Sequence, residues 1–297
     1  MKIAMVGSEG SIGTRRKGIL QELGHTVAGF DVKLGNVFDK KAVKEFDAAF
    51  ICLPPNQCVK AASDCADAKV PFFLEKPGAV NYREFLTVTG KAEKSNVINM
   101  VACNLRFTTE YRAIEDALPN VGKPLFTFAE FGYFLPFWRP GEYRTYYSCY
   151  RMAGGGILMD SIHELDYMFS LFGYPEKPVV TVVTSENSKE LADLDAEDNA
   201  NVYLLYKSGL NMFIHMDYLQ RSYKRIFSCV GTKGRIDQTF NVQGSNAMYR
   251  DEMKHFLDCV KKGTETIKDV TSHARLLEFI DKSRQRSKVE EDEESPE

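Results

Sequence analysis

The chain has 297 residues, of which 44% are hydrophobic and 27% charged, a composition close to that of soluble globular proteins. It excludes the disordered and fibrous classes, and no run reaches the roughly 20 apolar residues of a membrane helix. Its 38 Lys and Arg against 41 Asp and Glu give a formal charge of -3, without the basic excess of a dedicated nucleic-acid binder. At roughly 150 residues per domain, the length predicts two domains.

In chain order, Lys2 to Val6 is an apolar run, and MKIAMVG lacks the apolar core and cleavage site of a signal peptide. A glycine-rich turn and a helix from Thr14 to Leu23 follow. Thr26 to Phe30 and Ala48 to Leu53 read as further strands, then Gln57 to Ala68 as a helix, and Pro71 to Leu74 and Val97 to Cys103 as strands. Short buried strands alternating with helices imply right-handed crossovers, hence an α/β N-terminal Rossmann domain with a doubly wound parallel sheet. Ligands of such sheets bind beyond the carboxyl ends of the strands.

After residue 118 the pattern changes. Leu125 to Phe134, Val179 to Ser185, Asn201 to Lys207, Leu210 to Tyr218 and Arg225 to Val230 read as strands, interrupted by one strong helix, Ile157 to Phe172. Lys207-Ser208-Gly209 is a hairpin turn. These features predict an α+β C-terminal domain with a large open, mostly antiparallel sheet, closed by helices at Arg250 to Lys261 and Ala274 to Gln285. The predicted division is 1–118, 119–288 and an acidic, solvated tail at 289–297. Seven scattered cysteines without a CxxC pair read as free thiols in a reducing, cytoplasmic setting.

Gly7, Gly10 and Gly13 lie in VGSEGSIG, between the first strand and the first helix. Glycines there permit a tight turn and let backbone approach a pyrophosphate seated on the helix N-terminus. The spacing is GxxGxxG, one residue longer than the common GxGxxG. Asp31, ending the second strand, suits a ribose 2′-hydroxyl and repels a 2′-phosphate. NAD is therefore favoured over NADP, although Lys33 nearby weakens the preference. Gly7, Ser8, Gly10, Ser11, Ile12, Gly13 and Asp31, with Leu53, Pro54 and Pro55 after the third strand, form the candidate cofactor set. Glu75 and Lys76, at the carboxyl end of the VPFFL run, complete it. A lysine at that edge can hold a substrate hydroxyl and support a developing alkoxide; a surface loop lysine is the alternative.

Gly154-Gly155-Gly156 opens the helix that carries Asp160, His163, Glu164 and Asp166. A histidine one turn from a carboxylate suits acid–base work. A capped core histidine and a metal site are the alternatives, but no further His or Cys has metal-ligand spacing, so no metal is expected.

At VGSEGSIG, LPP, LEKPG, CNLRF, GGGILMDSIHELDY, DYLQR and GTKGRI the chain resembles the glucose–fructose oxidoreductase / inositol dehydrogenase (Gfo/Idh/MocA) family. The resemblance implies hydride transfer between a nicotinamide cofactor and a secondary alcohol or ketone of a sugar, polyol or nucleotide-activated sugar, meeting in a cleft between the domains. It also implies a homodimer or homotetramer built through the C-terminal sheet. Lys76 matches the catalytic lysine, His163 the acid–base histidine and Asp160 its partner. Many members read D-x-x-x-H where this chain reads D-x-x-H, which rotates one of the two by about 100° on a continuous helix. Arg106, Trp138, Arg139, Tyr143 and Arg144 are candidates for a substrate phosphate or carboxylate, with Lys76, Asp160 and His163 as the other substrate contacts. A dinucleotide-binding sensor or scaffold without turnover, or a member using bound NAD for another reaction, is the alternative.

Overall fold

The computed structural model describes residues 1–36, 38–175, 179–185, 191 and 194–293, the side chains of 179–185 and 285–293 excepted. The chain forms two compact units: Met1–Phe107 with Ser245–Glu278, and Thr108–Gly244 with Phe279–Glu297.

In the first unit, β1 (Lys2–Val6), β2 (Thr26–Phe30), β3 (Ala48–Ile51), β4 (Phe72–Leu74) and β5 (Asn99–Val101) form a parallel sheet of order β2-β1-β3-β4-β5. Helices α1 (Ser11–Glu22), α2 (Pro55–Ala68) and α3 (Tyr82–Ser95) connect them. The chain departs from β1 to opposite sides, toward β2 and later β3, so the glycine turn after β1 lies at the switch point where such sheets bind ligands. Strands β1, β3 and β4 are buried on both faces, which is why each reads as an unbroken apolar run.

The sequence divides the chain at residue 118 and assigns the later helices to the second domain. Residues 245–278 instead pack in the first unit. Helix α8 (Ala247–Lys262) presents Met253, Phe256 and Leu257 to the core formed by Ile3, Phe50 and Phe73. The Phe256 ring stands edge-on to both Phe50 and Phe73, at 5.4 and 5.7 Å. The segment also covers the sheet edge, since Val101 N–H donates to the Lys268 carbonyl (2.9 Å), so the open edge is not left as a template for aggregation.

In the second unit, β6 (Pro124–Gly132), β7 (Val179–Ser185), β8 (Asn199–Leu205), β9 (Asn211–Asp217), β10 (Lys224–Gly231) and β11 (Arg235–Thr239) form a mixed sheet of order β11-β10-β6-β9-β8-β7. Only the β6–β9 pairing is parallel. The predicted hairpin joins β8 to β9. Helix α4 (Thr109–Ala117) and the short α5 (Leu135–Trp138) flank β6 in sequence. Where one helix is predicted from Ile157 to Phe172, two occur: α6 (Ile157–Asp160) and α7 (Ile162–Phe172), parted at Ser161 with φ -99° and ψ 29°. Serine is a modest helix former, and Asp160 is held by side chains from outside the helix. Tyr167 of α7 packs on Phe227 and Phe240 of the sheet side. The last helix, α9 (Val270–Glu293), starts in the first unit and runs on to Glu293. Of the predicted acidic tail at 289–297, residues 289–293 are helical backbone, and 294–297 lie outside the described residues.

Candidate functional site

The glycine turn shows which of its glycines the fold itself requires. Gly7 ends β1 at φ +82°, and a Cβ there would lie 2.5 Å from the Cys52 carbonyl oxygen and 3.2 Å from Leu53 Cδ2. A Cβ on Gly13 would overlap the Gly7 carbonyl oxygen and come within 3.2 Å of Ser8 Cα. Gly10 differs. It is exposed, its φ of -78° and ψ of 161° suit any residue, and a Cβ would meet only the Gly7 oxygen at an ordinary 3.5 Å. Packing accounts for Gly7 and Gly13 but gives no reason for a glycine at 10.

Gly10 is also the N-cap of α1 and supplies no side-chain hydrogen bond. The amide groups of the first turn, around Ser11, Ile12 and Gly13, therefore retain capacity for an anion, which the helix dipole favours. Asp31 belongs to the same assembly: its Oδ2 accepts the Glu9 N–H (3.1 Å) and its Oδ1 the Lys33 N–H (3.0 Å). Ser8 is buried and its hydroxyl donates to Glu9 Oε1 (2.8 Å). Leu53, Pro54 and Pro55 lead from β3 into α2, with Pro55 at its first position. Glu75 and half-buried Lys76 follow β4, and the Lys76–Pro77 peptide bond is cis. The carboxyl ends of β1 to β4 thus carry all the candidate cofactor residues within one unit.

Beneath them lies a buried ion triad that the sequence reading missed. Arg16, fully buried on α1, donates its Nε–H to Glu75 Oε1 (2.5 Å) and an Nη2–H to Glu252 Oε2 (2.9 Å). Glu252 Oε1 accepts the Cys103 N–H (2.5 Å). The guanidinium lies 4.5 Å from the Phe73 ring centroid. Complete burial pushes the Glu252 carboxyl up to about 7, with Arg16 opposing the rise and Glu75 adding to it. Because this value lies above the ordinary 4.5, the folded protein holds the proton more tightly than the unfolded chain. The associated stability is complete below about pH 4.5 and is lost as pH rises through about 7. In Glu252→Gln, denaturant-measured stability should fall less than in wild type between about pH 5 and pH 8. Equal slopes for the two proteins contradict the assignment.

In the second unit Asp160, 1% exposed, is the centre of a network. Arg139 Nη2 donates to both its oxygens at 3.0 Å, and Tyr147, Ser148 and Tyr218 donate their hydroxyls at 2.9, 2.7 and 3.3 Å. Burial and then the Asp160 charge push the Tyr218 hydroxyl well above its ordinary pKa. Arg139 lies over the Trp138 ring at 4.4 Å. Three substrate candidates, Trp138, Arg139 and Asp160, are thereby brought together, with the Arg139 charge directed at Asp160. Tyr143 is buried under Arg144, whose guanidinium lies 4.8 Å from its ring and 3.1 Å from Glu142. Arg106 belongs to the first unit, in a single 3-10 turn, Asn104–Phe107, and is half-buried.

His163 stands in the first turn of α7, buried, three residues past Asp160 and across the break at Ser161. Glu164 is fully buried and paired with Arg225 (2.7 Å). Among the described residues no group of three or more His, Cys, Asp or Glu is arranged for a metal ion, and no helix is long and apolar enough to cross a membrane. All seven cysteines are buried, and none is in a disulfide.

Comparison with known proteins agrees with this architecture. The chain is 26% identical over 212 residues to a myo-inositol 2-dehydrogenase of Thermotoga maritima, a match covering 69% of this chain and 60% of that relative. The match thus spans under two thirds of the relative's length. Among solved structures, a probable dehydrogenase of Thermotoga maritima superposes with a TM-score of 0.81 at 21% identity, covering 98% of this chain and 97% of that one. The WlbA dehydrogenase of Chromobacterium violaceum, solved with NADH and UDP-GlcNAcA, gives 0.80 at 16% identity, covering 97% and 94%. Residues 137–285 match the oxidoreductase family, C-terminal alpha/beta domain. With half of its length under that match, the chain belongs to the Gfo/Idh/MocA oxidoreductase family.

Proposed function

We propose that the protein is an NAD-dependent oxidoreductase acting on a secondary alcohol or ketone of a sugar, polyol or nucleotide-activated sugar. The observation that carries this reading is Gly10, a glycine without a packing reason at the uncapped N-terminus of α1, joined through Glu9 to Asp31. A dinucleotide pyrophosphate fits that turn, because its approach is the one requirement that a Cβ at 10 would obstruct. When bound, NAD(H) supplies the hydride acceptor or donor.

The chain's own residues do the rest. The amides of the turn and of the first turn of α1 hold the pyrophosphate, and Leu53, Pro54 and Pro55 border the site. Asp31 keeps lone pairs beside its two backbone bonds; it accepts the ribose hydroxyls and repels a 2′-phosphate, which favours NAD over NADP. His163 takes the proton of the reacting hydroxyl, and Lys76 supplies positive charge to the developing alkoxide. Asp160, bound by four side chains, holds the entry to α7 and so the placement of His163. Arg106, Trp138, Arg139 and Tyr143 remain the proposed surroundings of the substrate, and no metal takes part. The inositol in one relative's name and the nucleotide sugar bound in another's structure support the substrate class.

The exposed side of the six-stranded sheet carries Phe126, Tyr203 and Leu205 at 41, 38 and 40% exposure. Such a row of half-exposed apolar residues on a sheet supports a homodimer or homotetramer through this face. The free thiols support a cytoplasmic setting. The test is NADH formation from NAD and a panel of inositols, sugars and sugar nucleotides. One member of the panel is expected to turn over, and Lys76→Met is expected to lower kcat for it by about 10²–10⁴-fold. Near-wild-type turnover by that variant refutes the role of Lys76.

A further inference from the structure

Lys76 stands between two neighbours that are both anchored from distant parts of the first unit. On one side, the Glu75 carboxylate is held by Arg16 of α1, and Arg16 is held in turn by Glu252 of α8. The Glu75 N–H also donates to the Ile51 carbonyl (2.9 Å). On the other side, the Pro77 carbonyl accepts the Nε2–H of His273 (2.8 Å). His273 lies in the first turns of α9, fully buried, with its ring 5.2 Å from that of Phe85 and edge-on to it. Two helices, α1 and α9, therefore reach the residues on either side of Lys76, and α8 secures the first of them through Glu252. His273 and the Glu252 that holds Arg16 both come from residues 245–278, the part of the chain that returns to the first unit late in the sequence.

Buried ionic groups of this kind are poor stabilisers, since apolar residues of similar volume often pack as well or better. What the polar contacts add is direction: a hydrogen bond to one carbonyl and an ion pair to one carboxylate fix the backbone on either side of Lys76. We propose that Arg16 and His273 are positioning residues for Lys76, a two-sided clamp on its backbone, with Glu252 securing Arg16. The proposal rests on the assignment of Lys76 to the reacting hydroxyl. It gives the returning segment 245–278 a part in the site besides its part in the core.

Amide hydrogen exchange of the peptide spanning residues 72–80, measured in the full-length protein, reads the clamp without any substrate. His273→Phe keeps the ring against Phe85 and removes the donor. Exchange in that peptide is expected to quicken about tenfold, with the remaining peptides of the unit unchanged, and the Kd for NADH is expected to stay within about twofold of wild type. His273→Gln, which restores a donor at the same reach, is expected to return exchange to the wild-type rate. Wild-type exchange in His273→Phe, or no recovery in His273→Gln, overturns the proposal. If His273→Phe does not fold, Glu75→Gln carries the test, with the same local acceleration expected and a wild-type rate overturning it. A wild-type protein that binds no NADH would refute the proposed function instead, while the exchange result would still decide whether the clamp exists.

Discussion

Replacing Arg16 by methionine is expected to cost about 3–5 kcal/mol, the usual penalty for stranding a buried charge. Methionine fills much of the same volume, so the loss is electrostatic rather than a cavity effect. Glu75 and Glu252 would face one another without a cation, at 7 and 0% exposure, and Glu252 already sits near neutrality with Arg16 in place. Against a total stability of about 5–15 kcal/mol, a loss of this size should unfold the first unit well below the wild-type temperature, as read by circular dichroism. The control is the triple variant Arg16→Met, Glu75→Gln, Glu252→Gln, in which no charge is left behind. It should recover most of the loss. A single variant within about 1 kcal/mol of wild type would show that the triad is not buried as described.

The second large effect separates two glycines of one turn. Gly13→Ala forces a methyl group onto the Gly7 carbonyl and toward Ser8 Cα, so the turn and α1 must move apart. The helix propensity gained, about 1 kcal/mol, is outweighed by overpacking, which costs about 1–3 kcal/mol or more. Gly10→Ala meets only an ordinary contact of 3.5 Å at a backbone angle open to every residue. Its stability is expected to stay within about 1 kcal/mol of wild type. Thermal unfolding of the two variants side by side checks the contrast, and equal losses contradict it.

The parallel sheet is legible in the sequence because its central strands β1, β3 and β4 are buried on both faces and therefore read as uninterrupted apolar runs. The edge strand β11 is not: its five residues alternate between exposed and half-buried, with none fully buried, so no hydrophobic pattern marks it. The break at Ser161 is likewise hidden. The apolar periodicity of ILMDSIHELDYMF runs through it, while the partners of Asp160 lie at residues 139, 147, 148 and 218, far away in the chain. An amphipathic α8 announces that it has a buried face, but not that the face belongs to the first unit. The ion triad did leave a signal. Arg16 occupies an apolar-stripe position with Ile19 and Leu20, and Glu252 one with Met248, Met253 and Phe256. A charge on a core-facing stripe demands a buried partner, and two such charges of opposite sign are each other's natural candidates. The candidate cofactor residues are legible as a cluster, because they follow consecutive strand ends. Which glycine of the turn packing does not require is visible only in the geometry.

The most direct test of the account is a fluorescence titration of NADH into wild type and Gly10→Ala, with unfolding of both measured in parallel. Wild type is expected to bind NADH saturably, and Gly10→Ala to bind about tenfold or more weakly, a difference of about 1.4 kcal/mol, with its fold intact. A wild-type protein that does not bind NADH, or a Gly10→Ala variant that binds it equally well, would contradict the reading of this turn as a dinucleotide site.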